Sequence, residues 1–232
     1  METSKSGQPI YRYQDSEDAL IIPSFIKPRH LNKYNKFIKQ HIGPFETVFH
    51  EIASSLIHVD IYVIEPSDSR NYYTLVTSGM SALKMKTPPG YGSTKYAELM
   101  ISLPPDWKFD EESLKDNKYY WPIFWLKYLA RFPHKHNTWL GSGHTMPNGD
   151  PAEPIAPNTE LRGFVLLPTV LFGKQGRVCK QGIFKRVNLY TIHPLHESEM
   201  QLKLENGIDA LFDLFDDNHV SEVVDLSRKP VC

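Results

Sequence analysis

Three closely spaced strand patterns constrain the fold of this chain more than any other feature. The clearest runs from Ile57 to Ile64, where apolar side chains recur with the period of two that a β-strand requires. One face of this strand would carry Ile57, Val59, Ile61 and Val63. Two more strands are predicted at Tyr72–Ser78 and Tyr96–Leu103. Because the connections between the three are short, we expect an antiparallel meander of neighbouring strands.

Helical patterns lie on both sides of this meander in the sequence. Apolar residues at steps of three and four predict a helix over Arg29–Ile42. Its other side carries a basic stripe, for which a solvated face is the ordinary interpretation and contact with an anionic partner the alternative. The stripe consists of Arg29, Lys33, Lys36 and Lys39. A second helix is predicted from Pro122, which fits a first helical turn, to Phe132, where Pro133 should stop it.

The rest of the chain continues the alternation of strands and helices. Strands are predicted at Phe164–Leu167 and Val187–Ile192, a long helix at His196–Phe215 and an edge strand at Val223–Leu226. This order predicts an α/β (α+β) fold, a single domain with a mixed central sheet flanked by helices.

Length and composition agree with one soluble domain. A chain of 232 residues can bury a sizeable core without covalent staples. Residues 1–28 are interpreted as an N-terminal surface segment and residues 29–232 as the domain. The helix predicted to begin at Pro122 is apolar on most sides, so we expect it to pack on the sheet and to bury Phe124 and Trp125 or Leu129.

Several functional classes are disfavoured by the same composition. The net charge is −1, so the whole molecule has no electrostatic attraction to nucleic acid. No run approaches the length of a membrane span, and the N-terminus lacks the apolar region of a signal peptide. Cys179 and Cys232 can form one bridge at most, which favours a reducing compartment. A cytoplasmic protein that binds neither nucleic acid nor a membrane is therefore expected.

Three histidines raise the question of a metal. His134, His136 and His144 have a spacing that resembles some catalytic zinc ligand sets, and Asp150 or Glu153 would have to supply a carboxylate. However, His134 and His136 directly follow a predicted helix, where histidines bond the last carbonyl groups. The preferred interpretation is a chain without a metal or another cofactor, and a metal-dependent hydrolase is kept as an alternative.

Other catalytic patterns are weak. His58 and Asp60 share one strand face and could form an acid–base pair, but no third partner of clear identity accompanies them. The sequence contains no G-x-S-x-G, Walker, Rossmann or H-E-x-x-H motif. The residues therefore predict a protein that is not an enzyme.

Two irregular segments, Ala82–Thr94 and Gly141–Asn158, are rich in proline and glycine and are the best candidates for binding. Their backbones are partly restricted beforehand, so they lose less entropy when a partner binds. Candidate contact residues on or beside them are Met85, Tyr91, Trp139, His144, Met146 and Asn148. The alternative interpretation is that the longer segment only covers a sheet edge.

The order of several blocks resembles the suppressor-of-fused domain family. The blocks are HVDIYVIEP, YYTLVTSGMS, YAELMISLP, WPIFWLKYLAR, NTWLGSGHTMPN, GFVLLPTV, VNLYTIHPLHESEM and NGIDALFDLFDD, within roughly residues 45 to 230. The resemblance implies an α/β domain with a mixed central sheet and a role in protein binding rather than catalysis. Stand-alone members of this size look like bacterial proteins that are thought to be immunity proteins against secreted toxins.

Animal members of the family imply a different use of the domain. They clamp a peptide of a zinc-finger transcription factor between this domain and a second one, and the loop after the SGMS-like turn helps to hold it. The matching segment here, Ala82–Thr94, is short and lacks the acidic residue used there. The leading hypothesis is thus a non-enzymatic protein-interaction module, most concretely an immunity protein that neutralises a toxin. A regulator that sequesters a transcription-factor peptide remains an alternative.

Overall fold

A computed structural model describes residues 2–13, 23–54, 56–183 and 185–232. The strands are β1 (Glu2–Thr3), β2 (Pro9–Ile10), β3 (Thr47–Phe49), β4 (Asp60–Ile64), β5 (Tyr73–Ser78), β6 (Ala97–Leu103), β7 (Thr145–Pro147), β8 (Gly163–Pro168), β9 (Val178–Lys180) and β10 (Arg186–Leu195). The helices are α1 (Pro28–His41), α2 (Asn117–Lys135), α3 (Glu197–Asn206) and α4 (Ile208–Asp217).

One mixed sheet organises the described part of the chain. Its eight strands have the order β3-β4-β5-β6-β10-β8-β7, and β9 pairs with the long strand β10. The predicted meander is confirmed, because β4 pairs antiparallel with β5 and β5 antiparallel with β6. Strand β10 joins β6 in parallel and β8 in antiparallel fashion, which makes the sheet mixed. The predicted fold class, a single α/β domain with a mixed central sheet, is therefore confirmed.

Hydrophobic clusters cover both faces of the sheet. Ile61 and Val63 of β4 belong to a first cluster that includes the buried side of α2. Tyr62 and Ile64 point the other way, into a second cluster with the buried side of α1. The predicted alternation along this strand is thus confirmed, although the strand begins at Asp60 rather than at Ile57. Ile57, three residues before this strand, instead forms an isolated parallel bridge with Ser24.

Helix α2 is longer than predicted at both ends. It begins at Asn117, where the Asp116 side chain accepts a hydrogen bond of 2.9 Å from the Lys118 amide, and it continues through Pro122 and Pro133 to Lys135. The predicted stop before Pro133 is therefore wrong. Each proline removes one intrahelical N–H, but packing of the buried helix face against the sheet stabilises the helix around it. Buried residues on that face include Trp121, Trp125, Leu126, Leu129 and Phe132.

The expected burial of α2 is only partly right. Trp125 and Leu129 are buried at 6% and 0% exposure, whereas Phe124 is 48% exposed. The sequence could not separate these residues, because both sides of the helix are apolar. Only contact with the sheet selects the side that is buried.

The long helix predicted over His196–Phe215 is wrong as a single element. Gly207 interrupts it with a φ of +93°, so α3 and α4 are two helices that meet at this residue. A positive φ is accessible to glycine at little cost, which explains why the break falls there. The predicted edge strand Val223–Leu226 is also wrong. Its segment makes a single parallel bridge from Val223 to Ser102.

The N-terminal region is described only in part. Strands β1 and β2 form a small antiparallel hairpin, and residues 2–13 are largely exposed. Residues 14–22, part of the predicted surface segment 1–28, lie outside the described residues, so the domain boundary at residue 29 stays a prediction. None of the helices that the structure describes is long and apolar enough to cross a membrane. Cys179 is a buried free thiol and Cys232 an exposed one.

Candidate partner-binding surface

Three of the predicted contact residues lie side by side on the surface and are here called the aromatic row. The ring centroids of Tyr91 and Trp139 are 4.8 Å apart, and those of Trp139 and His144 are 4.3 Å apart in a T-shaped arrangement. The row joins residues that are far apart in sequence. Tyr91 is 50% exposed, and the other two rings are half-buried.

Backbone hydrogen bonds hold the two segments that carry the row. The Lys86 amide donates to the Thr138 carbonyl at 3.0 Å, which ties the first segment to the residue before Trp139. The second segment is tied to β8, because the Leu166 amide donates to the His144 carbonyl at 2.9 Å. Segments held in this way present their side chains with little conformational freedom, which lowers the entropic cost of binding.

Gly141 allows the Trp139 ring to pack at the centre of the row. A Cβ added to Gly141 would lie 2.7 Å from ring carbon Cζ3 of Trp139, closer than a van der Waals contact allows. The indole therefore occupies space that any other residue at this position would need. Gly141 is therefore needed at this position because the indole packs directly against its backbone.

The remaining candidates have other roles. Met85 is 1% exposed and belongs to the first cluster, and its sulfur accepts from the Leu140 amide at 3.5 Å, so its side chain is part of the core. Met146 is half-buried in β7 and packs against the first cluster. The Asn148 side chain donates to the Pro154 carbonyl at 2.9 Å, which stabilises its own loop. The contact role of Met146 and Asn148 stays a prediction.

The longer segment is also less irregular than expected. It contains strand β7, which pairs with β8 and forms one end of the sheet. The segment thus supplies the strand at one edge of the sheet and also carries His144 of the aromatic row. The alternative interpretation, that the segment only covers a sheet edge, differs from this arrangement, and the binding role of the segment stays a prediction.

The three histidines of the metal hypothesis make separate contacts. His134 Nε2 lies 3.0 Å from the Met80 carbonyl, while His136 packs against Phe132 and His144 against Trp139. Within the described ranges, no group of three or more His, Cys, Asp or Glu side chains is placed to hold a metal ion.

His58 and Asp60 do gain a third partner, which the sequence did not reveal. His58 Nε2 lies 3.0 Å from Asp60 Oδ1, and its Nδ1 lies 2.9 Å from Ser54 Oγ. However, the Ser54 hydroxyl donates to Glu51 Oε2 at 2.6 Å, so its proton is not directed at the imidazole. Glu51 also pairs with Arg131 of α2. The network joins the loop before β4 to α2, and its geometry indicates a role in stabilising the fold.

Burial of His144 predicts a dependence of stability on pH. Burial, followed by the nearby charge of Lys203, lowers the pKa of His144 to about 4. An unfolded histidine titrates near 6.5, so the unfolded state binds the extra proton first. The stability that this neutral ring contributes is complete above about pH 6.5 and is lost as the pH falls toward 4, by about 2 kcal/mol after allowance for partial exposure.

This expectation is tested by urea unfolding at about pH 7 and about pH 4.5. His144→Gln should lose less stability on acidification than the wild type. His193, whose pKa burial also lowers to about 4, continues to act in the variant. The control is His50→Gln, whose side chain is 73% exposed. An equal loss in the wild type and in His144→Gln would contradict the expectation.

The fold and the surface together define a class of protein: a mixed α/β domain with helices on both faces and an ordered aromatic surface on two loops. The chain belongs to the suppressor of fused family, because the family model described as Suppressor of fused protein (SUFU) matches residues 55–229. The resemblance stated from the sequence blocks is therefore confirmed. Among curated proteins, none matches this chain.

Solved structures share this fold. A suppressor-of-fused homolog from Neisseria gonorrhoeae superposes with a TM-score of 0.59 at 14% identity, over 88% of this chain and 95% of its own. A chain of the Sufu–Fu complex gives 0.57 at 12% identity, over 90% and 93% of the two chains. Drosophila Suppressor of Fused gives 0.55 at 12% identity, over 87% of this chain and 50% of its own. At these identities the likeness concerns the fold alone.

Proposed function

We propose that this domain is a non-enzymatic protein-interaction module and that the aromatic row is the centre of its contact surface. The observation that carries the proposal is the row itself, Tyr91–Trp139–His144, held on segments from two distant parts of the chain. Tyrosine and tryptophan side chains dominate the energetics of protein interfaces, because they offer a large apolar area with few rotatable bonds. The Sufu–Fu complex among the related structures supports a protein as the partner.

The particular role that we propose is immunity, in which the domain binds and neutralises a toxin in the cytoplasm. Support comes from the sequence resemblance to stand-alone bacterial members of the family. The transcription-factor alternative is less well supported, since Ala82–Thr94 contains no acidic residue. Affinity capture from the native lysate identifies the partner, and co-expression then tests protection. A captured toxin that kills equally with and without this protein would contradict the immunity role.

Replacing aromatic residues of the row should weaken partner capture without unfolding the domain. Tyr91→Ala and Trp139→Ala are each expected to cost about 1–2 kcal/mol of binding free energy, which is about five- to thirtyfold in affinity. The measurement is titration of the captured partner, with thermal melting in parallel. Trp139→Phe, which retains an aromatic ring, should retain most of the affinity.

Phe124→Ala is the matched control for this experiment. Phe124 lies on α2 and is 48% exposed, close to the 50% of Tyr91, so both variants remove a similar exposed aromatic surface. It should leave capture unchanged. If Phe124→Ala weakens capture and the two substitutions in the row do not, the contact surface lies on α2 instead.

A further inference from the structure

A second surface carries a concentration of positive charge, and among the residues that the structure describes no carboxylate forms an ion pair with it. It is formed by the exposed side of α1, the residue before this helix and the turn between β9 and β10, and is here called the basic face. Its members are Lys27, Arg29, Lys33, Lys36 and Lys185. The four on or before α1 are exposed, and Lys185 is half-buried.

Four of these cations lie close enough to His30 to act on its charge, and Lys36 follows Lys33 by three residues on α1, which places the two on neighbouring positions of the helix surface. Burial lowers the pKa of His30, and the positive charges of Lys185, Arg29, Lys27 and Lys33 lower it further, in that order. Gln181 also donates its side-chain amide to the His30 carbonyl at 3.3 Å, which joins the β9–β10 turn to α1. Residues from two remote parts of the sequence thus combine in a single positive surface.

No carboxylate of the described chain forms an ion pair with a member of the basic face. Helix α1 contains no Asp or Glu, and neither does the stretch from residue 161 to residue 196. Arg29 even lies in the first helical turn, where a positive charge opposes the helix dipole. Because no described carboxylate is ion-paired with these cations, their mutual repulsion is not offset by such a pair, and the arrangement points to a use in binding.

Glu98 is the carboxylate whose charge acts on Lys185, but it is not available at the surface. It is 0% exposed, and its oxygens accept four hydrogen bonds from Thr77 and from the backbone of the following turn. Lys185 itself donates to the Ser81 carbonyl at 2.9 Å. The basic face therefore extends to the start of the segment that carries Tyr91 of the aromatic row.

An exposed aliphatic side chain accompanies the cations. Ile183 lies in the β9–β10 turn, two residues before Lys185, and is 90% exposed. An aliphatic contact beside lysines suits a protein chain better than the phosphate backbone of a nucleic acid. The apolar side of α1 is already buried, with Tyr34 and Ile38 at 0% exposure, so this helix has no free apolar face to insert into a lipid surface.

We propose that the basic face binds an acidic segment of a protein partner, with an apolar residue of that segment placed on Ile183. This inference deepens the proposed function and rests on it, because it gives the chemistry of the partner. Exposed charge pairs contribute little one by one but act together on the association rate and make binding depend on salt.

The test uses two triple variants with the same change in net charge. Arg29→Glu/Lys33→Glu/Lys36→Glu reverses the basic face, and Lys108→Glu/Lys115→Glu/Lys118→Glu reverses three exposed lysines elsewhere as the matched control. The probe is a fluorescent oligoglutamate peptide that contains one leucine. The first variant should weaken peptide binding about tenfold or more, and the control variant should weaken it less than about twofold. The affinity of the wild type for the peptide should decrease when the salt concentration is raised from about 50 to about 300 mM.

Further measurements distinguish an acidic peptide with an apolar residue from other ligands that the basic face could bind. Ile183→Ser should weaken binding of the leucine-containing peptide and leave a peptide of glutamate alone unaffected. Equal losses in the two triple variants would overturn the proposal. The proposal would also be overturned if the wild type bound a DNA duplex or phosphatidylserine vesicles more tightly than the peptide and if the first triple variant lost that binding.

The captured partner distinguishes this inference from the proposed function. If Tyr91→Ala weakens capture of the partner and the reversal of the basic face does not, the proposal for the aromatic row is supported and the proposal of an acidic segment is wrong. If neither change weakens capture, both proposals fail.

Discussion

Glu98→Ala is expected to destabilise the domain by about 3–5 kcal/mol, one of the largest effects that a single substitution can have here. Glu98 is fully buried in β6 and fastens the turn that follows β5. Its Oε1 accepts from the amides of Gly79 and Ser81 at 3.0 and 2.9 Å. Its Oε2 accepts from Thr77 Oγ1 at 2.6 Å and from the Met80 amide at 3.2 Å.

The size of the effect follows from what the alanine leaves behind. Three backbone amides and a hydroxyl lose their acceptor in a place that water does not reach, and each unsatisfied group costs about 1–3 kcal/mol before relaxation. The turn cannot easily rearrange, because a Cβ on Gly79 would lie 2.0 Å from the His58 carbonyl oxygen.

Urea unfolding measures this loss, with Glu46→Ala as the control because Glu46 is exposed. Glu98→Gln should be intermediate, at about 2 kcal/mol, since its amide group presents hydrogens to donors that need an acceptor. A Glu98→Ala variant as stable as Glu46→Ala would show that the turn does not depend on this carboxylate.

Arg228→Ala is expected to cost about 3–4 kcal/mol, because it leaves a buried carboxylate without its counter-charge. Glu199 is 0% exposed and lies at the start of α3, and both terminal nitrogens of Arg228 donate to its carboxylate. The Val231 amide donates to the same group at 3.2 Å. The pair therefore holds the C-terminal segment against the junction of β10 and α3.

The pH dependence of this variant gives a second readout. Burial alone would raise the pKa of Glu199, but the hydrogen bonds and charge of Arg228 and the backbone bonds outweigh it, and the pKa is lowered. A lowered carboxyl pKa contributes stability above the unfolded value near 4.3, which is lost as the pH falls through the folded value. Arg228→Ala should lose this part of the acid dependence.

The neighbouring Lys229→Ala is the control, since Lys229 is exposed in the same segment. Its stability and acid dependence should match those of the wild type. If Arg228→Ala behaves like Lys229→Ala at every pH, the ion pair does not hold the segment.

Part of the candidate site was visible in the sequence. The proline and glycine content of the two irregular segments points to candidate residues on or beside them. The structure brings three of these candidates into contact, namely Tyr91, Trp139 and His144. Their adjacency was not predictable, because it depends on a backbone bond between Lys86 and Thr138 across a separation of about fifty residues. Met85 shows the converse error. A methionine between two lysines resembles an exposed residue in sequence, yet Met85 is buried in the core.

The sequence by itself determined which residues face which side of each strand, since alternation is a local property of the backbone. It therefore determined the meander and the α/β class. Only the tertiary structure decided where the elements end. Packing against the sheet carries α2 through Pro133, and Gly207 divides a helical pattern that looked continuous. It also decided the burial of Glu98 and Glu199, because the donors that satisfy a buried carboxylate come mostly from parts of the chain that the local pattern does not contain.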